Sequence, residues 1–157
     1  SNRVTHAVFS PDSTTVLTAS RDRTVRAWSA ATGKELFRIN AHQDNEGERS
    51  LTLNNIANYS PDGQLIVTAA DTSEVRIWDA QTGEFRFSLL GHERKVFSAH
   101  FSPDGRQIVT ASEDGTIRVW DVASRQEIRK LEPPIPNSGK NPLMTSAVFS
   151  PDGQFIL

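Results

Sequence analysis

The side chains that could do chemistry in this sequence are few and lie far apart. Its four histidines are His6, His42, His92 and His100. No pair of them combines with carboxylates at the spacing of a metal site. The chain has no cysteine, no glycine-rich phosphate loop and no nucleophile elbow. We therefore predict a non-catalytic chain that holds no metal and needs no cofactor, in which His6 and His100 are packing or surface residues.

Charge and hydropathy narrow the class of partner. The 157 residues include 17 Lys and Arg against 19 Asp and Glu, which gives a net charge of −2. There is no basic excess of the kind that binds nucleic acid, and no apolar run approaches the roughly 18 residues of a membrane span. The chain also lacks a secretory pattern. We expect protein or peptide partners, no nucleic-acid or membrane partner, and a cytoplasmic location.

An internal repeat organises the sequence. Ser-Pro-Asp occurs four times, and in the first three copies a tryptophan follows 16 residues after the aspartate. These pairs are Asp12 and Trp28, Asp62 and Trp78, and Asp104 and Trp120. The fourth copy ends in Asp152, and the sequence stops at Leu157. A fixed period of about 40–50 residues is typical of a repeat architecture.

The third unit predicts four short antiparallel strands. Residues 95–101 are rich in strand-favouring types, and the Ser-Pro-Asp-Gly that follows fits a type I turn. Residues 106–112, 116–120 and 125–131 supply the other strands, with a tight turn at 113–115. Apolar residues lie on both sides of the inner strands, so the sheet must be packed between other sheets. Four-stranded sheets stacked radially are the blades of a β-propeller.

The same pattern predicts strands in the other units. They are 4–9, 15–20, 24–28 and 35–39 in the first unit, 53–59, 65–70, 74–78 and 84–90 in the second, and 144–149 and 154–157 in the fourth. Accordingly the predicted divisions are blade 1 (1–40), blade 2 (41–90), blade 3 (91–131), a proline-rich connection (132–142) and the first strands of an incomplete blade 4 (143–157).

The tryptophan-containing strand carries a family resemblance. Residues 116–121, Thr-Ile-Arg-Val-Trp-Asp, with Gly91-His92 upstream, closely resemble a WD40 repeat, and the resemblance covers essentially the whole chain. It implies an all-β, partial β-propeller of four-stranded antiparallel blades. It also implies a non-catalytic scaffold that binds protein or peptide partners.

The resemblance further implies a structural hydrogen-bond network of His, Ser or Thr, Asp and Trp. Indole only donates, hydroxyl and imidazole do both, and carboxylate only accepts. The network residues are Trp120, Ser112, His92 and Asp114 in the third unit, Ser20, Asp22 and Trp28 in the first, and His42 and Trp78 in the second. Because Ala70 and Thr72 replace the Ser and Asp of the second unit, we expect a complete network only around Trp120.

Partner-binding positions are implied in the same way. WD40 propellers project three positions per blade onto a top face, where the two long insertions at 43–50 and 132–142 would also lie. In this sequence the positions are Arg3, Thr5, Arg21, Leu53, Asn55, Asp71, Lys95, Phe97, Glu113, Leu143 and Thr145. Phe97 beside Lys95 is the sharpest candidate for an interface anchor, since aromatic residues are enriched in hot spots. The alternative is that Phe97 packs under a neighbouring loop.

A second function stays open at this point. The close similarity of the units resembles bacterial WD40 arrays, which often follow kinase or NTPase domains. The chain would then be the sensor or substrate-recognition segment of a larger multidomain enzyme. On either view, three complete blades fall short of the 4–8 blades of closed propellers. We expect an arc of a larger ring, whose end blades are covered by the remaining blades or by self-association.

Overall fold

The computed structural model describes residues 3–41, 56–70, 72–132 and 144–157. Within these residues, twelve strands form three four-stranded antiparallel sheets and there is no helix. The strands of blade 1 are β1 Val4–Phe9, β2 Thr15–Ser20, β3 Thr24–Ser29 and β4 Glu35–Asn40. Those of blade 2 are β5 Ile56–Tyr59, β6 Leu65–Ala69, β7 Val75–Asp79 and β8 Phe85–Leu89. Those of blade 3 are β9 Val96–Phe101, β10 Gln107–Ser112, β11 Ile117–Asp121 and β12 Glu127–Leu131. The predicted all-β blades are confirmed.

Each sheet is a meander whose first strand lies next to the first strand of the adjacent blade. A polar contact joins these inner strands across three blades. His6 Nε2 lies 3.3 Å from Asn58 Oδ1, and Asn58 Nδ2 donates to the carbonyl of Ala99 at 2.9 Å. The ring of His100 lies 3.4 Å from the same amide nitrogen, and burial, with a smaller effect from His6, lowers the pKa of His100.

The tryptophan of each blade packs against the blade that precedes it. Trp78 of blade 2 shares a buried cluster with Leu17 and Ala27 of blade 1. Trp120 of blade 3 packs in the same way against the apolar face of blade 2, next to Val67 and Ile77. The apolar residues on both faces of β6 and β10 are therefore buried between neighbouring sheets.

The Ser-Pro-Asp turns lie along one edge of the blades, here called the bottom edge; the opposite edge is the top edge. In each turn the serine hydroxyl donates to the aspartate, and the aspartate accepts the backbone N–H two residues later. The proline packs against the glycine of the next turn. The contacts are Pro11 with Gly63, Pro61 with Gly105 and Pro103 with Gly153. The fourth turn is therefore seated on blade 3 as the others are on their neighbours.

The fourth unit forms less strand than predicted. An isolated antiparallel bridge joins Phe149 to Ile156, and paired backbone bonds of 3.0 and 2.9 Å join Val148 to Leu157. Residues 144–147 belong to no strand, although Ala147 is fully buried against blade 3 and its N–H donates to Ser98 Oγ at 3.0 Å. Within the described residues this hairpin has no third strand beside it, and two-stranded pairs are marginal on their own.

The β3–β4 and β7–β8 turns provide a matched test of blade-to-blade packing. Gly33 and Gly83 occupy the same turn position, with φ of +67° and +73°. A Cβ at Gly33 would contact nothing within 4 Å, whereas a Cβ at Gly83 would lie 2.7 Å from Phe37 Cδ2. Gly33→Ala should lower the free energy of unfolding by about 1 kcal/mol, because alanine is strained in the left-handed backbone conformation of this position. Gly83→Ala should lower it by about 1 kcal/mol more, through overpacking against blade 1.

Urea unfolding monitored by tryptophan fluorescence measures both changes. Equal destabilisation by the two substitutions would contradict the proposed contact between Phe37 and Gly83.

Candidate functional site

The buried centre of blade 3 is a continuous chain of hydrogen bonds. Trp120 Nε1 donates to Thr110 Oγ1 at 2.9 Å, and Thr110 Oγ1 lies 2.7 Å from His92 Nε2. His92 Nδ1 lies 2.8 Å from Asp114 Oδ2. With the proton of a neutral His92 on Nδ1, the indole donates to the threonine, the threonine to the imidazole and the imidazole to the carboxylate. Every member is then satisfied, as stability requires of a buried polar network.

The hydroxyl in this chain is Thr110, so the prediction of Ser112 was wrong. Trp120 lies directly across the ladder from Ile108. Thr110 is two residues from Ile108 on the same face and is within diagonal reach of the indole. Ser112 is four residues from Ile108, a distance of about 13 Å along the strand. Its hydroxyl instead donates to the carbonyl of Arg94 at 3.3 Å and accepts the N–H of Asp114 at 3.1 Å.

The same correction applies to the other blades. Trp28 Nε1 donates to Thr18 Oγ1 at 2.8 Å, and Trp78 Nε1 donates to Thr68 Oγ1 at 2.9 Å. Ala70 therefore does not deprive Trp78 of its partner, and Ser20 accepts the N–H of Asp22 at 3.3 Å. The threonine ten residues before each tryptophan recurs in all three units, and this regularity could have identified it from the sequence.

Other parts of the predicted networks differ between blades. Asp22 of blade 1 accepts from the hydroxyl of Thr24 at 2.5 Å and pairs with Arg26 at 3.1 Å. His42, predicted for blade 2, lies outside the described residues. Only in blade 3 does the described part of the chain show tryptophan, threonine, histidine and aspartate joined together.

Electrostatics keep His92 neutral and Asp114 ionised. Burial lowers the pKa of His92, and the hydrogen bond that His92 Nδ1 donates to Asp114 only partly offsets this. Burial raises the pKa of Asp114, but hydrogen bonds from Thr116 and His92 outweigh it and hold that pKa well below its usual range. Arg118 is 3.8 Å from Asp114 and pairs with Glu127 at 2.8 Å. The site is a neutral imidazole beside an ionised carboxylate.

This arrangement serves the blade rather than a substrate. The side chain of His92 is fully buried and that of Asp114 is 7% exposed, which leaves no room for a reacting molecule. Within the described residues, no group of three or more His, Asp or Glu side chains is placed to hold a metal ion. No helix in that part of the chain has the length and apolar character to cross a bilayer.

The predicted partner-binding residues of blades 1 and 3 meet in pairs at the top edge. The N–H of Arg21 donates to the carbonyl of Arg3 at 2.9 Å, and the N–H of Glu113 donates to the carbonyl of Lys95 at 2.8 Å. Thr5 Oγ1 donates to the carbonyl of Ala19 at 3.2 Å. Within the described residues, Arg21 Nε is the one buried side-chain polar atom without a hydrogen-bond partner.

The exposure of these residues varies. Arg3 and Thr145 are exposed, whereas Thr5, Arg21, Lys95, Phe97 and Glu113 are half-buried. Phe97 is therefore partly covered rather than fully presented to solvent. The other predicted positions lie outside the described residues: Leu53, Asn55, Asp71 and Leu143.

A protein-family model described as WD domain, G-beta repeat matches residues 1–29, 33–79 and 83–121. The chain belongs to the WD40 family. The second and third matched segments begin in the turn before the outer strand of one sheet and end with the third strand of the next. The WD40 repeat of the sequence is thus offset by one strand from the blade, so the second and third matched segments each link two blades covalently.

Solved WD40 structures share this fold. The chain aligns with a structure titled "Structure of U3-55K" at a TM-score of 0.72 and 25% identity, over 82% of this chain and 39% of the other. It aligns with "Crystal structure of RRP9 WD40 repeats" at 0.70 and 25%, over 82% and 38%. The chain spans about two-fifths of these structures, and no match was found among curated proteins.

Substitutions of the two candidate hydroxyls test the network. Thr110→Val keeps the side-chain shape but leaves Trp120 Nε1 and His92 Nε2 without their hydrogen-bond partner. It should therefore lower the free energy of unfolding by about 3 kcal/mol. Ser112→Ala should lower it by about 1 kcal/mol. Thr18→Val is a matched control, because Trp28 is half-exposed and water can replace the lost acceptor. Chemical denaturation checks these values, and a larger loss from Ser112→Ala would contradict the assignment.

Proposed function

We propose that this WD40 protein is a non-catalytic interaction scaffold that binds protein or peptide partners on its top edge. The membership in the WD40 family supports the scaffold role. The top edge is favoured because it gathers residue types that dominate binding hot spots, namely arginine and an aromatic side chain.

The observation that carries the proposal is the pairing of candidate residues at that edge. The backbone bond between Arg3 and Arg21 places two arginines side by side on blade 1, and the bond between Lys95 and Glu113 does the same for a mixed pair on blade 3. Since these bonds hold the backbone in place, little order is lost when a partner docks. Preorganisation of this kind raises affinity.

Charge at this edge favours a partner with acidic groups. The described candidates include three cations, Arg3, Arg21 and Lys95, and one anion, Glu113. Arginine binds carboxylates through two parallel hydrogen bonds. An acidic peptide segment with an apolar residue beside Phe97 is the partner that this surface would accept.

Affinity purification with mass spectrometry tests the proposal. The double variant Lys95→Glu and Phe97→Ala should lose at least about 90% of the partner bound by the wild type, as expected when more than about 1.4 kcal/mol is removed. Lys34→Glu, an exposed charge change on the bottom edge, is the control and should retain the partner. Equal recovery by both variants would overturn the top-edge assignment.

We also propose that the free face of blade 1 receives another blade. Three apolar residues of this face have buried counterparts in blade 3. Val4 is 54% exposed whereas Val96 is 1% exposed, and the half-buried Val16 and Trp28 correspond to the buried Ile108 and Trp120. In blades 2 and 3 this tryptophan-bearing face packs on the preceding blade. The same surface on blade 1 therefore has the shape of a blade-binding face.

Sedimentation velocity tests this second proposal. When the 157 residues are studied alone, a second copy can supply the covering sheet, so the protein should self-associate at micromolar concentration. Val16→Lys places a charge on the face and should return the protein to a monomer. Leu90→Lys, at an exposed position beyond β8, should leave the association unchanged. A monomeric wild type would contradict the proposal.

A further inference from the structure

A groove on the bottom edge lies between blades 1 and 2, away from the top edge and from the free face of blade 1. Its volume is about 540 Å³. Its lining combines the apolar or aromatic Pro11, Leu36, Phe37 and Tyr59 with the carboxylates of Asp12 and Asp62, and the remaining side chains are neutral: Ser10, Thr14, Thr15, Gln64, Ala80 and Gln81. No lysine, arginine or histidine of the described residues lines this acidic groove.

The apolar wall of the acidic groove is preformed and partly uncovered. The hydroxyl of Tyr59 is 2.8 Å from Thr15 Oγ1, which fixes the ring across the blade junction. Phe37 is held against Gly83 of the adjacent turn. Leu36, which lines the groove together with these two rings, is 52% exposed.

The two carboxylates are ionised and lack cationic partners. Hydrogen bonds from Ser10 and Ser60 are the main cause of the lowered pKa of Asp12 and Asp62 respectively. Asp62 accepts the bonds of its turn through Oδ1 alone, whereas Asp12 Oδ2 also accepts from the hydroxyl of Thr14 at 2.9 Å. Within the described residues, neither carboxylate forms an ion pair, and Asp62 Oδ2 accepts no hydrogen bond. Asp62 Oδ2 can therefore accept from a ligand without disturbing its turn, and Asp12 Oδ2 can do so through its second lone pair.

At the next junction along the chain, an arginine stacks on the corresponding phenylalanine. Aligning the Ser-Pro-Asp turns places Phe87 at the position of Phe37, and Arg125 at that of Gly83. The guanidinium carbon of Arg125 lies 4.7 Å from the centre of the Phe87 ring. Arg86 and Arg106 stand where the acidic groove has Leu36 and Gln64. Between blades 2 and 3 the chain supplies its own guanidinium groups, and between blades 1 and 2 it supplies none.

We propose that the acidic groove is a second interaction site, which takes an arginine side chain from a partner protein. The aliphatic stem would lie on Leu36 and Tyr59, as long cationic side chains do on apolar surface. The guanidinium would bind Asp12 and Asp62 and face the Phe37 ring. Arginine suits this site better than lysine because its planar group stacks on rings and forks onto carboxylates.

An NMR titration of the ¹⁵N-labelled protein tests the proposal. The probe is the peptide acetyl-Leu-Arg-Leu-amide, with acetyl-Leu-Gln-Leu-amide as the uncharged control and acetyl-Leu-Lys-Leu-amide as the comparison of cations. The arginine peptide should shift the backbone signals of Thr14, Tyr59, Gln64 and Gln81 and bind more tightly than both other peptides. Equal binding of the glutamine peptide, or shifts confined to the top edge, would overturn the proposal.

Matched variants separate the groove from general effects. Asp62→Asn keeps an acceptor for the turn but removes the charge, and should weaken the arginine peptide about fivefold, the upper range for a partly exposed ion pair. Asp104→Asn makes the same change in the next turn and should have no effect. Leu36→Arg, at an exposed position, supplies the arginine that the neighbouring junction has and should abolish binding.

The proposal for the acidic groove and the proposal for the top edge can be tested independently. Lys95→Glu, which tests the top edge, should leave the titration unchanged. Circular dichroism verifies that each variant folds, and since Leu36 is exposed its substitution gives a result even if Asp62→Asn unfolds. Wild-type binding by a folded Leu36→Arg protein would refute the site.

Discussion

The structure depends on the contact between the tryptophan of one blade and the sheet that precedes it. The indole ring buries its surface on the neighbouring blade, and its single N–H is satisfied within its own blade by a threonine. An apolar contact between sheets thus requires a polar bond within a sheet. Because a buried donor without an acceptor costs free energy, the apolar contact is stable only when the threonine accepts from the indole. Trp28, which has the hydrogen bond but not the covering blade, shows the half of this arrangement that a single sheet provides.

The two edges of the blades are stabilised differently, and this difference shapes what each can bind. At the bottom edge, the prolines of the first three turns lie on the glycine of the next turn. The aspartate of each turn is ionised, because hydrogen bonds within the turn lower its pKa. At the top edge, backbone bonds couple the start of an inner strand to the following hairpin, and the described candidate side chains are mainly cationic. The acidic groove at the bottom edge and the mainly cationic candidates at the top edge therefore differ in the sign of their charge.

Departures from the repeat carry most of the specific information in this chain. A perfectly repeated sequence would have identical junctions, with the same residue type in every turn between the third and fourth strands of a blade. In this chain that position is Gly83 in blade 2 and Arg125 in blade 3. Arg125 stacks on the Phe87 ring at one junction, whereas Gly83 takes the equivalent position beside Phe37 and the acidic groove stays open at the other. Likewise, only blade 3 joins a histidine to the buried hydroxyl among the described residues, although all three blades keep the tryptophan and threonine.

The sequence by itself determined the strands and the turns that separate them, because both are local. Ser-Pro-Asp closes a turn through bonds within five residues, and alternating apolar residues mark a strand wherever it packs. Which hydroxyl meets Trp120 was decided by register across the sheet, which places Thr110 rather than Ser112 within reach of the indole. The burial of Phe97, the short fourth hairpin and the acidic groove were decided between blades. Those contacts join residues far apart in the chain, so only the tertiary structure brings them together.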